Sequence, residues 1–195
     1  DLILIAPASA NFVAKLSQGL ADDLLSNICL ARDCPILIAP SMNKKMWENA
    51  ATKRNIKTII QDGISISGPE VGEQACGDEG MGRLVNDKIL LLDIQKALNT
   101  PILKNKNILI SCGATYEKID DARAITNLSS GKMGLSIVNE AYILGANVTL
   151  VYGRTEILPP SNIKCIYAPN HESMNKLIKK NAKDNDIFIS VAAIS

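Results

Sequence analysis

The chain has 195 residues, 47% of them hydrophobic, which is enough apolar material for one domain or two small ones. Its 21 basic residues are balanced by 20 acidic ones with no basic block, so a nucleic-acid partner is not expected. No apolar run approaches the ~18 residues of a membrane span, and no signal-peptide pattern opens the chain. Five cysteines (29, 34, 76, 112 and 165) stand at irregular spacing with no CxxC pair, beside a single histidine, His171. That pattern speaks against zinc and against a disulfide framework, and a reducing cytoplasmic setting is expected.

In chain order, the apolar run LILIAP (2–7) predicts a buried parallel strand. Ser9 is placed to cap a helix carrying Phe12, Val13 and Leu16 and ended by Gly19. A second helix is predicted over Asp22 to Arg32, with Leu24, Leu25, Ile28 and Cys29 facing inward. CPILIAP (34–40) predicts a second buried strand. One helical stretch follows through KKMWENAATKRNIKTIIQ, stopped at Gly63. ISIS (64–67) predicts a short strand, GEQACGDEGMGR (72–83) a glycine-rich loop, and the next stretch a helix from Asp87 to Leu98. The polar segment LNTPILKNKN (98–107) reads as a linker.

Beyond it the pattern restarts. NILISC (107–112) predicts a strand, NLSSGKMG (127–134) the entry to a helix ending at Gly145, and NVTLVYG (147–153) a strand. IKCIYA (163–168), HESMNKLIKKNAK (171–183) and DIFISVAA (186–193) predict strand, amphipathic helix and strand. Alternation of this kind gives two α/β units with parallel sheets, over residues 1–98 and 107–195, joined by a linker at 99–106. The chain opens inside one strand and stops just after another, so a piece of a longer chain, with both units incomplete, is expected.

Ligands of open α/β sheets lie beyond the carboxyl ends of the strands, which singles out APASAN, APSMN, SCGAT and SVAAIS. No G-x-G-x-x-G follows a strand, which disfavours an ordinary nicotinamide dehydrogenase. Ser9 and Asn11 suit a phosphate or a polar ring edge, and Ser9 reads equally as a plain helix cap. Asn43 can both donate and accept, with Met46 and Trp47 as an apolar wall; a capped helix with core Met and Trp is the plainer alternative. Cys76 is a candidate nucleophile or proton donor, because four glycines around it argue against a core role; Cys29, Cys34, Cys112 and Cys165 fall in regular elements and read as core. Arg123, Asn127, Ser129, Ser130, Gly131 and Lys132 precede a helix and could cradle phosphate, although GxxxxGK[ST] is absent. His171 opens a helix and reads as a cap or a solvated residue.

Taken together, PASAN, PSMNKKMW and ACGDEGMGR resemble, in order, three signatures of the flavin-dependent cysteine decarboxylases of the phosphopantothenoylcysteine decarboxylase type. GATYEKID, ARAITNLSSGKMG and SVAAIS resemble phosphopantothenate–cysteine ligase. Decarboxylase followed by ligase is the order of the bacterial bifunctional coenzyme A biosynthesis proteins, and the resemblance covers essentially the whole chain. It implies two Rossmann-like units, the first flavoprotein decarboxylase-like and the second ligase-like. It also implies FMN bound by Ala8, Ser9, Ala10, Asn11 and Ser41, with Asn43 on the substrate carboxylate and Glu73, Gln74 and Ala75 flanking the substrate. Oxidation of the cysteinyl side to a thioaldehyde would let CO2 leave to an enethiolate, with Cys76 as proton donor, giving 4′-phosphopantetheine.

For the second unit the resemblance implies activation of 4′-phosphopantothenate by CTP with Mg2+, and displacement of CMP by cysteine. Asn127 and Arg123 would handle the acyl-cytidylate, and Ser190, Val191, Ala192 and Ala193 would line the nucleotide. A homo-oligomer is implied too, with trimeric decarboxylase and dimeric ligase contacts. Two departures stand out: Ser41 where alanine is commoner, and Phe12 in place of threonine. The family's catalytic histidine and its triphosphate-binding basic motif are expected before residue 1 and after residue 195, so this segment alone is expected to be inactive. The alternatives are a stand-alone peptidyl-cysteine decarboxylase, against which the second-half motifs argue, and an inactive flavin-binding regulator, against which Cys76 argues.

Overall fold

A computed structural model describes residues 1–73 and 77–195. Gln74, Ala75 and Cys76, three of the expected site residues, lie outside the described residues. The chain forms two compact units, Asp1–Leu98 and Asn99–Ser195.

The first unit is built on a parallel sheet of β1 (Ile3–Ala8), β2 (Ile36–Pro40) and β3 (Ser65–Ile66), in that spatial order. All five residues of β2 are buried, as a strand covered on both faces requires. On one face Ile36 and Ile38 pack with Ile5, with Val13 of α1 (Ala10–Gln18) and with Ile59 of α4 (Ala50–Gln61). On the other, Ala39 packs with Val85 and with Ile89 of α5 (Asp87–Leu98). Full burial of each such aliphatic side chain contributes about 1.5–3 kcal/mol. Ser9 caps α1 and accepts from the Phe12 N–H at 3.2 Å.

Four details differ from the sequence expectation. Helix α2 is shorter, Leu24–Leu30, and starts at a capping box in which the Asp23 carboxylate accepts from the Ser26 N–H and the Ser26 hydroxyl accepts from the Asp23 N–H. That start turns Ser26 and Cys29, three apart, inward and leaves Leu24, Leu25 and Ile28 exposed, Leu24 at 77%. The single long helix is two, α3 (Lys44–Glu48) and α4, because Asn49 takes an extended conformation and caps the second with its side chain. The glycine-rich stretch is flanked by a hairpin: β4 (Glu70–Glu73) pairs antiparallel with β5 (Glu79–Arg83). Cys34 precedes β2 in a bend and is half-buried, so it is not a strand residue.

The second unit has a four-stranded parallel sheet of β6 (Asn107–Cys112), β9 (Asn147–Tyr152), β10 (Lys164–Tyr167) and β11 (Ile187–Ser190), ordered β10-β9-β6-β11. Period-two alternation splits the core. Ile108, Ile110 and Cys112 face Leu135 and Val138 of α6 (Lys132–Ile143), whereas Leu109 faces Met174 of α7 (His171–Ala182). From β6 the chain steps outward to β9 and β10, then returns to add β11 on the opposite side. The topological switch point is therefore between β6 and β11. A small hairpin of β7 (Tyr116–Lys118) and β8 (Ala124–Thr126) was not anticipated. Its turn lacks glycine and proline and is built by Asp120, whose Oδ1 accepts from the N–H groups of Ala122 and Arg123.

Candidate functional site

In the first unit, chain direction and strand pairing bring the ends of β1 and β2 side by side. The Ser41 N–H donates to the Ala8 carbonyl at 3.0 Å, which sets Ala8, Ser9, Ala10 and Asn11 beside Ser41. The next residue, Met42, donates its N–H to the Gly82 carbonyl at 3.0 Å and so fastens the β4–β5 hairpin to the same strand end. Asn43 then uses both ends of its amide. Its Oδ1 accepts from the Lys45 N–H at 2.8 Å and starts α3, and its Nδ2 donates to Asp78 Oδ2 at 3.0 Å. The three separated stretches thus meet beyond the carboxyl ends of β1 and β2. Ala8 is buried, Ser41 and Asn43 are half-buried, and Ser9, Asn11 and Glu73 are exposed.

This arrangement offers hydroxyl and amide donors next to the N-terminus of α1, where helix N–H groups lack intrahelical acceptors and the backbone dipole favours an anion. Such a donor set fits a flavin nucleotide, whose phosphate and ring edge are acceptor-rich. The Asn43–Asp78 pair shows that the Asn43 amide, as oriented, holds a carboxylate oxygen. Asp78 was not singled out in the sequence; it stood in the glycine-rich stretch as one acid among several. The last residue of β4, Glu73, stands directly across from the first of β5, Glu79, so two carboxylates flank the loop end of the hairpin.

In the second unit the switch point collects the rest. Past β6 the chain runs through Gly113, Ala114 and Thr115, and past β11 through Val191, Ala192 and Ala193. The two segments are laced by Val191 N–H to Ser111 O at 2.9 Å, Ala193 N–H to Gly113 O at 2.8 Å and Thr115 N–H to Ala193 O at 3.1 Å. Ser190 Oγ lies 3.5 Å from Ser111 Oγ. Asn127 follows β8 directly, and its Nδ2 donates to Ser195 Oγ at 3.4 Å. Asn127 is thereby brought to the segment that follows Ala193. Arg123 is not: it is exposed in the β7–β8 turn, where its guanidinium is held by Asp120 Oδ2 at 2.6 and 2.7 Å. That contact holds the Asp120 carboxyl below its usual range.

Close backbone approach makes this end of the sheet compact. Gly131 opens α6 at φ +74°, and a Cβ there would meet Thr155 Cγ2 at 2.5 Å. His171, read as a cap or a solvated residue, stands in the first turn of α7. Its backbone N–H and its Nδ1 both reach Glu117 Oε1, at 2.9 and 3.1 Å. The Glu117 carboxyl is pulled down, chiefly by that backbone hydrogen bond. Burial pushes the Cys112 and Cys165 thiols up to about 11, which keeps both protonated and inert at neutral pH. Among the described residues no cluster of three His, Cys, Asp or Glu side chains could hold a metal ion, and no helix is long and apolar enough to cross a membrane. Thr115 and Ser195 carry most of the polar bonds described at the switch point; the sequence placed them inside the candidate stretches SCGAT and SVAAIS without singling out either residue.

Residues 1–99 match the family model described as Flavoprotein. Residues 103–195 match that of the DNA/pantothenate metabolism flavoprotein C-terminal domain. The chain is similar to the Coenzyme A biosynthesis bifunctional protein CoaBC of Vibrio vulnificus (strain YJ016), with 44% identity over 195 residues, 100% of this chain and 49% of that protein. It is similar to the protein of the same name from Escherichia coli (strain K12), with 40% identity over 197 residues, 100% of this chain and 48% of that protein. The chain spans about half the length of the curated relatives it matches. Among solved structures, a PPC decarboxylase mutant complexed with pantothenoylaminoethenethiol matches 48% of this chain and 53% of its own, at 34% identity and TM-score 0.47. The C-terminal domain of a CoaBC protein matches 49% of this chain and 48% of its own, at 39% identity and TM-score 0.47.

Proposed function

The chain belongs to the flavoprotein family, and from that premise we propose that it is part of a bifunctional enzyme of coenzyme A biosynthesis. The enzyme joins 4′-phosphopantothenate to cysteine at the expense of CTP with Mg2+, then decarboxylates phosphopantothenoylcysteine with FMN. The observation that carries the decarboxylase reading is the meeting of three separated stretches at one strand end, through Ser41 to Ala8, Met42 to Gly82 and Asn43 to Asp78. Support also comes from the 40–44% identity to bifunctional proteins along the full chain.

Bound FMN supplies the two-electron chemistry. The chain supplies placement. Ala8 to Asn11 and Ser41 hold the cofactor's phosphate and ring edge, and the Asn43 amide takes the substrate carboxylate in the way it holds the Asp78 carboxylate. Cys76 gives the proton that completes the product, for which the thiol form is needed rather than the thiolate. Glu73, Gln74 and Ala75 flank the substrate. In the second unit Asn127 acts on the activated carboxylate, joined by Arg123 once its guanidinium leaves Asp120 in the β7–β8 turn, and Ser190 to Ala193 line the nucleotide at the switch point, the place where open α/β sheets bind ligands. Sites completed between copies, in trimers of the first unit and dimers of the second, belong to the same reading, as does a cytoplasmic setting.

The test uses the full-length protein with labelled cysteine, 4′-phosphopantothenate, CTP and FMN. We expect label in phosphopantothenoylcysteine only when CTP is present, and in Cys76→Ser we expect ligation and a single turnover of CO2 release but no 4′-phosphopantetheine, with the flavin left reduced. Ligation independent of CTP overturns the ligase assignment, and unchanged turnover to 4′-phosphopantetheine in Cys76→Ser overturns the proton donor.

A further inference from the structure

Thr115 is fully buried, and it spends three polar atoms on the segments that carry the second candidate site. Its N–H donates to the Ala193 carbonyl at 3.1 Å. Its Oγ1 accepts from the Ser195 N–H at 2.9 Å, and its carbonyl accepts from the Ser195 hydroxyl and from Thr126 Oγ1, both at 2.8 Å. Ser195 Oγ in turn accepts from Asn127 Nδ2. One residue at the end of β6 therefore fixes the segment after β11 and the end of β8 together. The chain of contacts ends on the Asn127 amide.

We propose that Thr115 and Ser195 are positioning residues that orient the Asn127 amide for ligation; this rests on the ligase reading given above. The physical case is one of pre-organisation. Asn127 follows a three-residue strand and its side chain is exposed, so nothing in its own element fixes its rotamer. An amide aimed at developing charge must be held before the charge appears, because reorienting it during reaction adds to the barrier. The Ser195 hydroxyl does the holding: it donates to a buried carbonyl, which fixes its lone pairs, and presents one of them to Asn127.

In the full-length protein, Ser195→Ala and Thr115→Val should each lower kcat for CTP-dependent ligation roughly tenfold, as loss of about one hydrogen bond's worth of orientation predicts. KM for CTP should stay within about twofold, and Thr115→Ser, which keeps the acceptor, should restore kcat to within about twofold of wild type. Because the two residues act by one route, the double variant should lose no more than the larger single loss. A merely structural role gives multiplied losses and no rescue by serine, and either result overturns the proposal. Should Thr115→Val fold poorly, Ser195→Ala decides, since it truncates an exposed side chain. A second arm separates this inference from the reading beneath it. In the isotope-labelled full-length protein, the Asn127 side-chain amide resonances should shift in Ser195→Ala without any substrate. Wild-type protein with no CTP-dependent ligation sinks the ligase reading, whereas unmoved Asn127 resonances sink the positioning role.

Discussion

The two units use the same α/β alternation and build their candidate sites differently. In the second unit the strand order β10-β9-β6-β11 contains a switch point, and two loops that diverge there are laced by backbone hydrogen bonds around a fully buried threonine. In the first unit the described strands run β1-β2-β3 in chain order, which gives no switch point. The site instead forms where a hairpin meets the end of β2 through contacts that include the Met42–Gly82 backbone bond and the Asn43–Asp78 side-chain pair. A switch point is fixed by the core of the sheet, whereas a docked hairpin is held by contacts that can open separately. The first unit also leaves Leu20, Leu24, Leu25, Ile28 and Leu30 exposed along and just before α2, whereas α6 of the second buries Leu135, Val138, Ala141 and Ile143.

Substitutions that strike one core at a time test whether the units are as separate in energy as in topology. Ile38→Ala removes a fully buried side chain from the middle strand of the first sheet and should cost about 2–5 kcal/mol. Trp47 is the only tryptophan and lies in that unit, so its fluorescence midpoint in urea should fall markedly. Gly153→Ala acts on the second unit. A Cβ there would meet the Ala114 carbonyl oxygen at 2.2 Å and its carbon at 2.7 Å. Both are backbone atoms that no rotamer change can move, so a loss of about 2–3 kcal/mol is expected. Its signature is an earlier transition in far-ultraviolet circular dichroism with the Trp47 midpoint unmoved. A Trp47 transition that shifts with Gly153→Ala would show one cooperative chain and erase the comparison.

Regular elements were legible where periodicity and caps agreed. The helix at Asp87–Leu98 and the strand at Asn107–Cys112 were legible close to their bounds, because an apolar pattern and a polar flank coincide there. Helix α2 was misread in its facing: five apolar residues in seven positions fit several stripes, and the capping box of Asp23 and Ser26, which sets the rotation, is a weak signal in sequence. Asn49 broke a helix that composition made continuous, since an asparagine reads as a tolerable interior residue until its side chain caps the next one. The β7–β8 hairpin was missed because an aspartate carboxylate does the work usually signalled by glycine. Candidate residues with distinctive chemistry, such as Asn43 and Asn127, could be picked from motifs. Asp78, Thr115 and Ser195 lie inside quoted motifs but were not picked out individually, because their importance comes from partners 35 to 80 positions away.

The smallest expected effect concerns how the site-bearing helix of the first unit is tied to its neighbour. Lys15, in the last turn of α1, reaches Asp22 and Asp23 at 2.6 and 2.7 Å, and Asp23 is also the cap of α2. The Lys15 ammonium, followed by the Ser26 hydrogen bonds, lowers the Asp23 carboxyl from 3.8 to about 2. A carboxyl depressed in the folded state stabilises at pH values above its unfolded pKa, and that contribution is lost as pH falls through the folded value. The Lys15 ammonium is raised by the same contacts, so its part is present below its ordinary pKa and lost only in strong alkali. Acid, between pH 3.8 and about 2, is therefore where the tie weakens. Asp23→Asn keeps an oxygen acceptor for the Ser26 N–H and removes the charge. Its Trp47 unfolding midpoint should lie slightly below wild type at pH 6 and converge with it at pH 2. The gap should be small, because exposed ion pairs contribute little in water, and it should shrink with added salt. An equal gap at both pH values would mean that the cap geometry, and not the charge, links α1 to α2.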